Sequence, residues 1–419
     1  MGKKCILASI LLLCAAGLLQ AQGSLTLERC RAAAREVSRA EEAVDLSDSD
    51  LAERKKLIRT PYLPQAHGYG SVFYQSDAPD PASFTDLPFT LYPMPKLQFH
   101  VGVMVSQTIY AGGSRKVRTD LAEVDSELEK QSIEGSLIEA DRAVDELFLG
   151  ILLMQKQEDI LKGQKELLER KLESAREAFE AGKIYRTDVL RLEAGLSSLN
   201  SSIDGLVAER ASAEGNLAAL TGLEIGPETR LELPQPERFS PVDDPSLKSL
   251  ELQEQRANLS LRLSLARCLP KLSLWGTMGF GQWSLDFFRH DPDVFGVVGL
   301  GLSIPLTSWQ DYFYSRNLRN NALARIDIQR ENLERRRSAE LSRYDGAIAR
   351  YDAMLDGARE AVAKYEELAS EMDRLSSGGE ASVSEYIDAL SELSSARLEQ
   401  QRLIILRIKE QLKKGQYTL

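Results

Sequence analysis

The sequence predicts a mainly α-helical protein with a small β part, built as two tandem repeats of long antiparallel coiled-coil hairpins, each with a two-strand β-hairpin. Three observations carry this. Gly182-Lys-Ile-Tyr-Arg-Thr-Asp188 returns about half a chain later as Gly379-Glu-Ala-Ser-Val-Ser-Glu385, in each case a glycine turn before a hydroxyl residue and a carboxylate. Ser114 to Glu180 and Tyr312 to Leu375 contain no proline or turn cluster, far beyond an ordinary globular helix. Between the long helices the apolar period changes to two.

In chain order, residues 1–21 have a basic start at Lys3 and Lys4, an apolar run from Ile6 to Leu19 and the small-residue site Leu19-Gln20-Ala21. This is read as an export signal, too short in its apolar run to span a bilayer, and it is left out of the fold. Residues 22–222 are expected to form the first repeat, with a short helix over Thr26–Ile58, a strand pair at 65–106 and a long helical hairpin at 113–222. Leu97, Phe99, Val101, Val103 and Val105 alternate with Gln98, His100, Gly102 and Met104, the two-residue period of a strand. The proline-rich stretch 223–244, from Gly226-Pro to Pro241, reads as a connector folding into a small belt. Residues 245–419 repeat the plan with a short helix, a strand pair at 271–305 and a helical hairpin at 310–415. Val101-Gly102-Val103 recurs there as Val298-Gly299-Leu300, and Leu-Pro at 63–64 as Leu-Pro at 269–270.

Within the first long helix, Leu161, Leu168, Leu172, Ala175 and Phe179 fall at heptad-like steps and predict a packing seam. Thr187 and Ser384 are the expected N-caps of the returning helices, with Asp188 and Glu385 in the first turn, where the helix dipole favours a carboxylate.

Composition narrows the function. A formal charge of −11 argues against nucleic acid as partner, and basic runs such as Glu331 to Arg337 interleave with acids like a solvated helix face. Only His67, His100 and His290 are present, with no metal-binding or nucleophile motif, so neither catalysis nor a metal or other cofactor is expected. Cys5 and Cys14 leave with the signal, and Cys30 and Cys268 occupy non-equivalent repeat positions, which predicts no bridge. Four strands with an apolar outward face cannot close a barrel alone, because open edges in lipid leave backbone groups unpaired. If they sit in a membrane, several chains must share one barrel.

Leu-Thr-Leu-Glu at 25–28, Leu-Pro before each first strand, Gln107-Thr-Ile-Tyr-Ala-Gly-Gly113 at a strand-to-helix junction, and Ser303-Ile-Pro-Leu306 followed by Trp309 follow one another in a doubled layout. In that order they resemble the TolC-type outer-membrane efflux proteins, over essentially all of the chain beyond the signal. The resemblance implies a homotrimer in outer-membrane lipid with helices extending into the periplasm. Each chain would give four strands to a twelve-stranded barrel and helices to a periplasmic tunnel. It implies a periplasmic adaptor (membrane fusion protein) as partner and, through it, an inner-membrane RND or ABC pump. The tips Gly182, Lys183, Gly379 and Glu380 are the expected adaptor contacts. Glu385 and Asp388 match the paired acids of the family's pore constriction, with first-turn helix stabilisation as the alternative role. The aromatic and arginine that tie some members' hairpins shut fall at Ser376 and Ala381, so those links are missing here. Asp188 matches the acid such links use, with Arg186 or Arg191 as substitute partners. A type I protein secretion duct would share this layout. A soluble periplasmic coiled-coil adaptor or scaffold would lack the two equivalent strand hairpins.

Overall fold

The computed structural model describes residues 24–77, 95–235, 245–282, 291–378 and 380–415. The export signal, Gly379, His290, most of the two strand-connecting loops and the connector beyond residue 235 lie outside the described residues. The elements are α1 (Leu27–Val37), α2 (Ala40–Arg59), β1 (Gln65–Tyr74), β2 (Leu97–Ala111), α3 (Ser114–Glu180) and α4 (Arg186–Thr221), followed by α5 (Pro245–Cys268), β3 (Lys271–Gly281), β4 (Asp293–Ser303), α6 (Trp309–Gly378) and α7 (Val383–Gly415). Among the described residues no helix is long and apolar enough to cross a membrane. The chain divides into a strand-bearing unit, Val44–Ser132 with Ser246–Glu331, and a helical unit that takes the remainder.

In the strand-bearing unit the two predicted hairpins join into one antiparallel sheet of order β1-β2-β3-β4. Register sorts its side chains cleanly. Val101 stands opposite Gly70 and Phe280, Val103 opposite Gly68 and Met278, and Val105 opposite Ala66 and Gly276, so one face is apolar along these rows. Val298 and Leu300 continue it on β4 and are 79% and 70% exposed, an arrangement water disfavours and lipid favours. The opposite face carries His67, Ser71, Ser106 and Thr277, with the Tyr69 hydroxyl 3.0 Å from that of Thr277. That bond passes over Gly102, where a Cβ would lie 2.5 Å from the Met278 carbonyl oxygen. Gly102→Ala is expected to force the β2 and β3 backbones apart and cost about 1–3 kcal/mol. A lowered thermal midpoint and folded yield would show it, whereas Gly68→Ala, which meets nothing within 4 Å, should behave as wild type.

β2 runs past the expected end at Ser106 to Ala111, through an irregularity between Thr108 and Tyr110. Below the sheet, α2 and α3 meet through the Ser47 and Ser126 hydroxyls at 3.2 Å and a Lys130–Asp48 ion pair at 2.7 Å. Arg256 on α5 pairs with Asp125 on α3 at 2.8 Å, and Ser264 on α5 bonds Ser315 on α6 at 2.9 Å.

Among the described residues the helical unit has two apolar clusters. One gathers Leu27, Cys30 and Ala34 of α1, Val144, Phe148, Ile151 and Leu152 of α3, Leu217 of α4 and Ile405, Ile408 and Leu412 of α7. The first part of the connector joins it: Leu25 bridges Leu231, and Gln155 donates to the Thr229 carbonyl at 2.7 Å. Asp145 and Arg31 pair beside this core at 2.6 Å; burial raises the Asp145 pKa, and Arg31 opposes the rise. The short helix expected over Thr26–Ile58 is broken in two, because Arg39 adopts a left-handed conformation with φ 52°. Cys30 and Cys268 are both buried and free.

The second cluster lies where the helical hairpins turn. It packs Leu168, Leu172 and Ala175 of α3 against Val189, Leu192, Leu199 and Ile203 of α4, with Ala369 of α6 and Val383, Tyr386, Ala389, Leu390 and Leu393 of α7. Three seam positions are buried as the heptad pattern requires, but Phe179 is exposed because the helix ends one residue later.

A candidate gate at the hairpin ends

The first hairpin turns through Gly182, whose φ of +73° is open to glycine and strained for other residues. Lys183 N–H donates to the Ala178 carbonyl at 2.8 Å and Gly182 N–H to that of Phe179 at 2.8 Å, which caps the end of α3 in a Schellman motif. The cap of α4 is Tyr185 rather than Thr187: its backbone N–H donates to the Asp188 carboxylate at 3.3 Å. Thr187 already lies inside the helix.

At the second hairpin the described residues form a fuller cap. Glu380 N–H reaches the Leu375 carbonyl at 2.9 Å. Ser382, two residues before the expected Ser384, caps α7: its Oγ accepts from the Glu385 N–H at 3.3 Å while the Glu385 carboxylate accepts from the Ser382 N–H at 2.8 Å and its hydroxyl at 3.0 Å. This is a reciprocal capping box. The Ser382 N–H, and then its hydroxyl, hold the Glu385 carboxyl below its ordinary range.

The sequence reading missed a residue that joins the two hairpins at this cluster. Lys171, on α3, is only 10% exposed and donates to the Asp373 carboxylate at 2.9 Å and the Ser377 hydroxyl at 3.0 Å, both on α6. Its ammonium also sits 4.8 Å from the centre of the Tyr386 ring on α7. Burial, reinforced by Asp373, pushes the Tyr386 hydroxyl pKa up to about 12. Around it, Arg176–Glu193 at 2.7 Å ties α3 to α4, and Arg397–Glu366 at 2.7 Å ties α6 to α7. Those two pairs are within hairpins and solvated, hence weak; Lys171 crosses between hairpins with its side chain largely covered, while its partner Asp373 is half exposed. A lysine in a proline-free charged helix gives no sequence signal of such a role, since its partners lie about two hundred residues away.

The remaining expected residues fall as follows. Gly182, Lys183 and Glu380 are exposed at the turns, and Gly379 lies outside the described residues. Glu385 and Asp388 are exposed one turn apart on α7, adjacent to the buried Tyr386 and Ala389. Arg186 and Arg191 are exposed on α4, and the half-buried Asp188 is engaged by Tyr185 rather than by either arginine. Ile184 and Ile387 pack on the same cluster, so the starts of α4 and α7 share one apolar seat. Among the described residues no group of His, Cys, Asp and Glu is placed to hold a metal ion.

The family model described as outer membrane efflux protein matches residues 30–223, nearly the whole first repeat. No curated protein matches the chain in sequence. Its fold is similar to that of the Campylobacter jejuni CmeC outer membrane channel, at TM-score 0.65 and 15% identity over 93% of this chain and 85% of that one. It is likewise similar to VceC of Vibrio cholerae, at TM-score 0.64 and 11% identity over 93% and 94%. The Neisseria gonorrhoeae MtrE outer membrane channel in its open state gives TM-score 0.61 and 14% identity over 93% and 88%. These likenesses show the fold, and the doubled sheet-and-hairpin plan agrees with the matched model. Residues 30–223 thus match the outer membrane efflux protein model, and the chain as a whole shares the fold of these outer membrane channels.

Proposed function

We propose that the chain is the outer-membrane exit duct of a tripartite efflux system, conducting substrates passively from an inner-membrane RND or ABC pump and a periplasmic adaptor. The observation that carries this is the four-stranded sheet with one apolar, exposed face and two unpaired edges, β1 and β4. Such edges are tolerated in lipid only when copies of the chain pair them, and the resemblance to TolC-type proteins implies three copies and a twelve-stranded barrel. A soluble scaffold would gain nothing from that face.

In this reading the hairpin ends form the gate. Three copies bring Glu385 and Asp388 into two stacked rings of carboxylates, which favour cations. Lys171 holds the second hairpin against the first in each chain. Opening therefore requires α6 and α7 to leave α3 and break the contacts to Asp373, Ser377 and Tyr386.

Photoreactive residues at Lys183 and Glu380, followed by mass spectrometry of whatever they capture in cells, test the docking. Both positions are exposed at the turns, so an adaptor is expected in the crosslinks, and the pump that accompanies it separates small-molecule efflux from type I protein secretion. Folded protein in the outer membrane that captures no periplasmic partner from either position would remove the tripartite reading.

A further inference from the structure

A second binding feature lies away from the hairpin ends, inside the strand-bearing unit. Between α5 and α6 runs a cavity of about 560 Å³, within the size range of small-molecule sites. Arg256, Arg319 and Arg325 line it with the Ser260 and Ser315 side chains, over an apolar floor that includes Leu261, Ala322 and the buried Ile326, with the exposed Leu318 at its edge. No carboxylate lines it among the described residues, although the chain as a whole carries a charge of −11.

The arginines in and beside this groove differ in their pairing. Arg330, on the same helix, pairs with Glu254 at 3.3 Å and Asp327 at 3.6 Å. Arg256 pairs with Asp125 at 2.8 Å. Among the described residues Arg325 donates only to the Asn321 carbonyl one turn back, at 3.3 Å, and the Arg319 Nε is buried without a hydrogen-bond partner. A buried guanidinium nitrogen left unpaired is costly, and a carboxylate, sulfonate or phosphate group satisfies it through the planar fork that arginine presents. Two uncompensated arginines above an apolar floor match one ligand chemistry.

We propose that this groove binds an amphiphilic anion: an acidic head taken by Arg319 and Arg325, and an apolar body laid along Leu318, Ala322 and Ile326. The site needs no adaptor and does not depend on how the hairpin ends move. The same chemistry is offered by a soluble organic anion in transit and by the head of an anionic lipid.

The full chain, held in an uncharged amphipol, is titrated with a dansyl-labelled undecanoate and with its primary amide. Wild type should bind the carboxylate at least about tenfold tighter than the amide, the scale of one charge-assisted contact. Arg319→Gln/Arg325→Gln should abolish that preference and leave amide binding and the thermal midpoint unchanged. Arg319→Lys, which keeps charge but not the fork, should retain part of it. In parallel, phosphate analysis of lipid retained by protein purified from native membranes separates the sources: anionic lipid held by wild type and lost by the double variant makes a lipid head the natural occupant, and its absence with a carboxylate preference makes it a soluble anion. Equal binding of the two probes to wild type, or a preference that survives in the double variant, overturns the site.

Discussion

Lys171→Met is expected to release the gate. The substitution keeps the aliphatic stem packed and removes the ammonium that joins Asp373, Ser377 and Tyr386 across two hairpins. The pair with the half-exposed Asp373 contributes up to about 1 kcal/mol, the charge-assisted bond to Ser377 about 1.5–3 and the cation–π contact about 0.5–2, partly offset by the cost of covering the lysine. A net loss of about 2–4 kcal/mol raises the population of separated hairpins by more than tenfold. In planar bilayers the variant should show a several-fold larger single-channel conductance than wild type, and α7 should become sensitive to limited proteolysis. Lys171→Arg should recover much of the closed behaviour, because charge and reach survive. If wild type itself forms no channel, the duct reading fails; if it does and Lys171→Met matches it in conductance and proteolysis, only the latch fails.

Glu385→Gln/Asp388→Asn should cost the channel its cation preference. The two carboxylates are exposed one turn apart, and Glu385 has a second task as the acceptor in the Ser382 capping box. Glutamine can keep that acceptor, so the double amide variant separates ring charge from helix capping, which alanine would confound. The reversal potential in a KCl gradient is expected to move toward zero, with the cation-to-anion permeability ratio falling about tenfold. An unchanged reversal potential would leave both residues as helix-start carboxylates. The pH dependence follows from the sign of the shift. Because the Glu385 pKa lies below its unfolded value, its contribution to the α7 start is fully present above the ordinary carboxylate range and fades as pH falls through the lowered value. Selectivity carried by Glu385 should accordingly persist into mildly acidic solution.

Local features of this fold were legible because they are periodic. The proline-free run from Ser114 to Glu180 is one helix with those ends, and the two-residue alternation around Val101 and Val298 marks β2 and β4. Features set by a single backbone torsion were not: nothing in Ser38-Arg39 announces the left-handed residue that splits the first short helix. The caps were displaced by two residues because Thr187 is by composition a better candidate than Tyr185 and Ser384 as good a one as Ser382, and only hydrogen-bond geometry chooses. The doubled turn motif located the hairpin ends, and the repeat placed Glu385 beside them. Lys171, Arg319 and Arg325 stayed invisible, since each is one basic side chain among many on a charged helix and acquires meaning from what stands opposite.

The central pairing of the sheet also constrains how the chain reaches this state. β2 and β3 come from different repeats, and Ala111 finds Lys271 only after α3, α4, the connector and α5 have been made or bypassed. Closing so large a loop is entropically costly and slow compared with forming any of the helices. While it is pending, each β-hairpin exposes an apolar face and an extra open edge, the surfaces from which strand proteins aggregate. The long hairpins, stabilised by local contacts, are therefore expected to form first. Sheet completion becomes the late, rate-limiting event, at which a periplasmic holding chaperone would have most to protect.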